Sequence, residues 1–215
     1  MKLALHNYWR SSASHRVRIA LGLKELPYEY VVVNILKKDQ FSAEYVAKNP
    51  MSQVPTLEIT EDDGTVHVLT QSLPILEYLE ERFPAHPLLP KDLYLRARTR
   101  GLAEIINAGI QPLQNLSTTK QVKALGGDDV VWTTGFIETG LAAFARAALE
   151  TAGAFCVGDS PTFADCCLVP QLASARRFGA NIAEQRRLLD IEARCLAMPA
   201  FANAAPDKQM DAVKS

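Results

Sequence analysis

The sequence predicts an α+β domain followed by an all-helical domain. Strand-like segments are confined to residues 1–83. A proline-punctuated stretch, PAHPLLP at Pro84 to Pro90, comes next and reads as a linker. Beyond it strand signals vanish and only helical periodicity is left. The predicted division is therefore 1–83, a linker at 84–90, and a helical domain over 91–215.

Each element follows from its own pattern. KLALHNY reads as a short strand. Ser12 to Leu23 reads as a helix with Val17, Ala20 and Leu21 on one face. YEYVVVNI is rich in β-branched and aromatic residues, which suit a strand. Gln40 to Lys48 reads as a short helix that stops at Asn49-Pro50. TLEIT and TVHVLT flank Asp63-Gly64 and predict a hairpin. Ser72 to Phe83 reads as a helix with Ile75, Leu76, Leu79 and Phe83 inward. The order is β-α-β-α-β-β-α, with the first two strands parallel through a right-handed crossover and the last two antiparallel.

In the second half, Asp92 to Lys123 is predicted helical, with irregularities at Gly109 and Pro112. Asp129 to Thr151 forms another helix, with Ile137, Leu141, Phe144 and Ala148 aligned. A helix from Thr162 to Phe178 should bend at Pro170. Ala183 to Leu196 and a short helix after Pro199 complete the chain.

Composition narrows the function. Of 215 residues, 48% are hydrophobic, enough for a real core. Basic and acidic side chains number 23 and 24, a balance that argues against a nucleic-acid binder while leaving local basic clusters able to hold a small anion. No segment approaches the ~18 apolar residues of a membrane span. His6, Asn7 and Arg10 break the first apolar run too early for a signal peptide, so a cytoplasmic protein is expected. Cys156, Cys166, Cys167 and Cys195 form no CxxC pair, and no histidine cluster has ligand spacing. No metal site is expected, and the thiols read as small buried hydrophobes.

Several short motifs could carry chemistry. Ser11-Ser12 precedes the first helix and reads either as a plain N-cap or as part of an anion site. Arg10, His15, Arg16 and Arg18 crowd the same turns, where the helix dipole is already positive. A negative ligand would offset that cost. Gln71-Ser72 offers the same two readings at the later helix, with Ser72 as the cap. Gln53-Val54-Pro55-Thr56 stands before a strand, and sequence physics does not decide whether Pro55 is cis. Thr162-Phe-Ala-Asp165 reads as a structural capping box. Arg176-Arg177 reads by itself as a solvated basic face.

Taken together, SSASHRVRIAL at Ser11 to Leu21, NPMSQVPTL at Asn49 to Leu57 and QSLPILEYLEE at Gln71 to Glu81 resemble the zeta-class glutathione transferases. GIQPLQNL at Gly109 to Leu116 and VGDSPTFADCCLVPQLASARRF at Val157 to Phe178 extend the resemblance over nearly the whole chain. The named activity of that class is maleylacetoacetate isomerase. The resemblance implies a thioredoxin-like first domain, an all-helical second domain and a homodimer. It implies a cis Pro55, so that the Val54 backbone can pair with glutathione. It makes Ser11 the thiolate-stabilising donor, with Ser12 second and Ala13 on the same turn. Gln71 and Ser72 would bind the γ-glutamyl end, Gln40 the glycyl end, and Gln111 and Asn115 would approach from the helical domain. Arg10 and Arg177, with Arg176 beside it, match positions that face substrate carboxylates.

The implied function is glutathione-dependent cis–trans isomerisation of maleylacetoacetate or maleylpyruvate. Displacement on α-halo acids is the second reading, and glutathione binding without turnover the third. Retention of Arg10, Ser11 and Arg177 argues against the third. The chain departs from the family pattern at Ala13, where the signature has cysteine, and at Pro74. GANIAEQRRLL, after Phe178, also lacks the run common in the family.

Overall fold

The computed structural model describes residues 1–213. Its strands are β1 (Lys2–Asn7), β2 (Glu29–Val32), β3 (Thr56–Thr60) and β4 (Val66–Thr70). The helices are α1 (Ser12–Leu23), α2 (Ala43–Lys48), α3 (Ser72–Arg82), α4 (Leu93–Asn107), α5 (Leu116–Ala124), α6 (Asp129–Ala148), α7 (Phe163–Phe178), α8 (Arg186–Leu196) and α9 (Pro199–Ala204). These form two compact units. The first joins Met1–Pro87 to the chain from Pro199 onward, and the second is Leu88–Met198.

The first unit is built on a four-stranded sheet of order β2-β1-β3-β4. β1 and β2 are parallel, while β1–β3 and β3–β4 are antiparallel. Alternation along β1 buries Leu3, Leu5 and Asn7. Leu5 lies opposite Leu57 and Leu3 opposite Ile59, so two buried cross-strand pairs hold the centre. α1 buries Val17, Ile19, Ala20 and Leu21, and α3 buries Ile75, Leu76 and Leu79. Each of these valine, leucine and isoleucine side chains contributes about 1.5–3 kcal/mol on leaving water.

The predicted domain boundaries need correcting at both ends of the helical half. The segment from Pro199 belongs with the first unit, not with the helical one. A Cβ on Gly22 would meet the Ala200 backbone at 3.2 Å, so glycine allows α1 and α9 to approach closely. Phe201 is fully buried, and the Ala204 carbonyl accepts from Arg18 Nε at 3.1 Å. The linker is also shorter than expected. Lys24 Nζ donates to the Phe83 and His86 carbonyls at 2.9 and 3.3 Å and pairs with Glu80 at 2.8 Å, tying that stretch to the first unit. Leu88 and Leu89 are buried, and the Leu88 carbonyl accepts from Phe163 N–H within the second unit.

The expected single helix over Asp92 to Lys123 is two helices, α4 and α5, divided by turns around Gly109 and Pro112. The expected helix from Gln40 is a 3-10 turn at Asp39–Phe41 followed by α2, which Ser42 caps. In the second unit, α7 is almost wholly buried and runs through Pro170 without interruption. Two buried glutamines, Gln114 and Gln171, exchange amide hydrogen bonds at 3.2 and 2.9 Å. No described helix is long and apolar enough to cross a membrane.

Asp165 anchors the start of α7. Its carboxylate is fully buried and accepts from Thr162 N–H and Thr162 Oγ1, both at 2.8 Å, and from Cys156 N–H at 2.9 Å. Burial raises its pKa from the ordinary carboxylate value, against the opposing pull of these donors. Removing the carboxylate orphans donors in a dry site, which costs more than a surface cap. Asp165→Ala should destabilise the protein by about 3 kcal/mol, against ~1 kcal/mol for an exposed cap. Urea unfolding checks this, and a midpoint equal to wild type would contradict it.

Candidate functional site

Sheet register brings four turns to one end of the first unit. His6 pairs with Thr56, and Thr56 pairs with Thr70. The end of β1, the start of β3 and the end of β4 are therefore neighbours. The turn into α1, the Val54-Pro55 segment and the start of α3 all emerge there. β2 runs parallel to β1 and ends beside Asn7, where Val33 N–H donates to the Asn7 carbonyl at 2.8 Å. The segment carrying Gln40 thus leaves from the same end.

Ser11 caps α1. Its backbone is extended, and its Oγ accepts from Ser14 N–H at 3.2 Å. A hydroxyl that accepts one bond still has its own proton to donate. Ser12 and Ala13 begin the helix, where free N–H groups and the helix dipole favour negative charge. Arg10 lies just outside, its guanidinium 5.3 Å from the Trp9 ring centre. A planar guanidinium fork of this kind matches carboxylate geometry.

The other basic residues of this stretch do different work from the anion cradle that the sequence suggests. Arg18 is buried and turned inward: Nη1 donates to Asn7 Oδ1 at 3.0 Å and Nη2 to the Trp9 carbonyl at 3.0 Å. Burial lowers its pKa, while Tyr30, Tyr28 and Asp211 favour its charge. Arg16 is buried and its Nη1 donates to Ser72 Oγ at 3.0 Å, linking the starts of α1 and α3. Burial, and then the nearby Arg18, push the His15 pKa well below its usual value, so this imidazole is neutral near pH 7.

Ser72 is not the cap that the sequence suggests. Gln71 is the cap residue, and Ser72 opens the helix with its hydroxyl turned to Arg16. Gln71 has φ 68°, a left-handed value rare outside glycine. This strain needs support from its surroundings, and such positions cluster at ligand-binding turns. The Val54-Pro55 bond is cis. Tyr45 Oη and Asn49 Nδ2 both donate to the Gln53 carbonyl, at 2.6 and 2.7 Å, which fixes the approach to that bond. Gln40 Oε1 is buried with no hydrogen-bond donor among the described residues.

The remaining expected site residues lie on the second unit. Asn115 caps α5, its Oδ1 accepting from Ser117 N–H and Oγ at 3.1 Å each, and Gln111 is half-buried on the preceding turn. Arg177 is exposed, its guanidinium 4.4 Å from the Phe178 ring centre. Arg176 behaves differently. Its fork binds both Glu192 carboxylate oxygens, one of them at 2.7 Å, so the expected substrate contact there is replaced by an internal ion pair. Its pKa is raised chiefly by the Glu192 hydrogen bond. All four cysteines are buried, and burial raises the Cys156, Cys166 and Cys195 thiols. No group of three metal-ligating side chains occurs among the described residues. Cys156, Cys166 and Cys195 are therefore poor nucleophiles.

The site at the end of the first unit has hydroxyl donors, helix N-termini, a free acceptor and a stacked arginine, suited to a polar anionic ligand. Residues 10–82 match the model of the glutathione S-transferase N-terminal domain. A maleylacetoacetate isomerase from Dictyostelium discoideum is 43% identical over 98% of this chain and 96% of its own length. The crystal structure of maleylacetoacetate isomerase from Anaeromyxobacter dehalogenans with bound glutathione superposes with a TM-score of 0.91 at 49% identity, covering 99% of this chain and 98% of that one. A maleylpyruvate isomerase described as a bacterial zeta-class glutathione S-transferase superposes at 0.90 with 39% identity, covering 98% of this chain and 100% of its own. The chain belongs to the zeta-class glutathione transferase and maleylacetoacetate isomerase family.

Proposed function

We propose that this protein is a glutathione-dependent cis–trans isomerase acting on maleylacetoacetate or its close analogue maleylpyruvate. The observation that carries this reading is the convergence of Ser11, Val54-Pro55 and Ser72 at one sheet end through the His6–Thr56–Thr70 register. The donor set suits glutathione. The α3 N-terminus offers amides to a carboxylate, Gln40 Oε1 offers an acceptor to an N–H, and Ser11 has a proton to give to sulfur. Gln111 and Asn115 are the proposed contacts from the helical unit. A homodimer in the cytoplasm is the proposed physiological form.

Glutathione supplies the nucleophilic sulfur, which adds to the cis carbon–carbon double bond, permits rotation and leaves again. The protein's part is electrostatic. A free thiol with pKa about 8.5 is only a few per cent thiolate near pH 7. The Ser11 hydroxyl and the α1 amides stabilise that charge. Arg10 faces a substrate carboxylate and the negative charge that develops on the acceptor carbonyl oxygen. Arg177, an exposed arginine whose fork matches carboxylate geometry, is the proposed carboxylate partner on the helical unit.

An absorbance assay with maleylacetoacetate, with and without glutathione, tests the reading. Glutathione-dependent formation of the fumaryl isomer is expected. No isomerisation, with halide released from dichloroacetate instead, would replace it with displacement chemistry. Ser11 has two roles that substitution separates. Ser11→Ala should cost about 1 kcal/mol of stability as a lost cap but ~100-fold in turnover as a lost donor. Ser11→Asp should keep the cap and still lose turnover, because a carboxylate cannot donate. Wild-type rates in either variant would remove Ser11 from the mechanism. Arg177→Ala should raise KM for the acceptor about tenfold or more with glutathione KM unchanged. The reverse pattern would contradict the carboxylate assignment.

A further inference from the structure

A carboxylate on the C-terminal segment binds the turn that precedes α1. After α9 the chain makes a 3-10 turn at Pro206–Lys208. Gln209 Nε2 then donates to the Asn203 and Ala205 carbonyls, both at 2.8 Å, folding the segment back on itself. This delivers Asp211 to the far end of the sequence. Its Oδ2 accepts from Trp9 N–H at 3.0 Å, and its Oδ1 accepts from Tyr30 Oη at 2.5 Å.

Trp9 immediately precedes Arg10 and Ser11, and both of its peptide groups are held. Its N–H is bound by Asp211 and its carbonyl by Arg18 Nη2. Ser11 N–H closes the turn on the Tyr8 carbonyl at 3.0 Å. Arg10 stacks on the ring of the same Trp9. Position of both groups proposed to face the reacting molecules therefore follows position of Trp9. A charge-assisted bond from a carboxylate to a backbone N–H is stronger and shorter-ranged in its tolerance than a neutral one. Its negative charge also lies near the buried Arg18 guanidinium.

We propose that Asp211 is a positioning residue, which sets the Trp9–Arg10–Ser11 turn so that the Ser11 hydroxyl meets the glutathione sulfur. The inference rests on the reading of Ser11 given above. A displacement of the donor by a fraction of an ångström weakens its bond to sulfur, and a misplacement of about 1 Å can cost ~100-fold in rate. The carboxylate acts through the turn and touches neither glutathione nor the acceptor.

The test uses the full-length enzyme with glutathione, and reads melting temperature, kcat and the ultraviolet titration of the bound thiol. Asp211→Ala should raise the bound thiol's pKa by about one unit and, at pH values below the wild-type thiol pKa, lower kcat by the corresponding factor of about ten. Asp211→Asn should restore both, because its amide oxygen can accept from Trp9 and its amide N–H can donate to Tyr30. Tyr30→Phe keeps the Trp9 bond and should stay near wild type in both. If Asp211→Ala is recovered unfolded, Asp211→Glu takes its place with the same readouts, since the extra methylene cannot serve both donors without shifting the turn. A lowered melting temperature with wild-type kcat and wild-type thiol titration would overturn the proposal and leave Asp211 a structural residue. If wild type itself fails to lower the glutathione thiol pKa, the reading of Ser11 falls and this inference falls with it.

Discussion

A charged guanidinium held behind the first turn is the constraint on which the site depends. Arg18 is nearly fully buried, so each of its N–H groups needs a partner. It finds them on the Asn7 side chain, the Trp9 carbonyl and the Ala204 carbonyl. One side chain thereby joins the end of β1, the turn before α1 and the C-terminal segment. Removing it would leave several buried polar groups without partners at once. This arrangement explains why a helix start already rich in positive dipole also has basic residues. They are structural members: Arg18 joins the turn to β1 and the C-terminal segment, and Arg16 supports the start of α3 through Ser72.

The sheet then determines what the turn meets. Because β1 and β2 are parallel and β3 and β4 are antiparallel to their neighbours, Asn7, Thr56 and Thr70 share one end of the sheet. A slip of one residue in β3 would reverse its buried face and move Pro55 away from Ser11. The cross-strand pairs of Leu3 with Ile59 and Leu5 with Leu57 resist that slip. Packing in the core and placement of the site are thus one constraint. Arg16 adds a direct link, since its bond to Ser72 fixes the two helix starts relative to each other.

Local pattern carried most of the element assignments. α1 and β3 fall where the sequence places them, since capping, β-branching and periodicity are properties of neighbouring residues. What could not be read depends on partners distant in the chain. Arg176 looks like a free basic residue until Glu192 is seen on α8. Ser72 looks like a cap until Arg16 is seen to use its hydroxyl and Gln71 to take the left-handed cap position. Asp211 carries no local signal at all, because its two donors lie on Trp9 and Tyr30. The sequence's helical half also conceals the return of Pro199 onward to the first unit, which rests on the close approach of Gly22 and Ala200. Ser11 and the Val54-Pro55 segment were legible as candidates through family resemblance, and their adjacency rests on the register.

The central claim is that one glutathione molecule engages the three turns at that sheet end together. Amide resonances of the protein, followed while S-methylglutathione is added, test it most directly. The account expects Ser11, Val54 and Ser72 to shift along a single saturation curve, while amides at the opposite end of the sheet stay fixed. Shifts confined to one turn, or separate curves for the three, would contradict it.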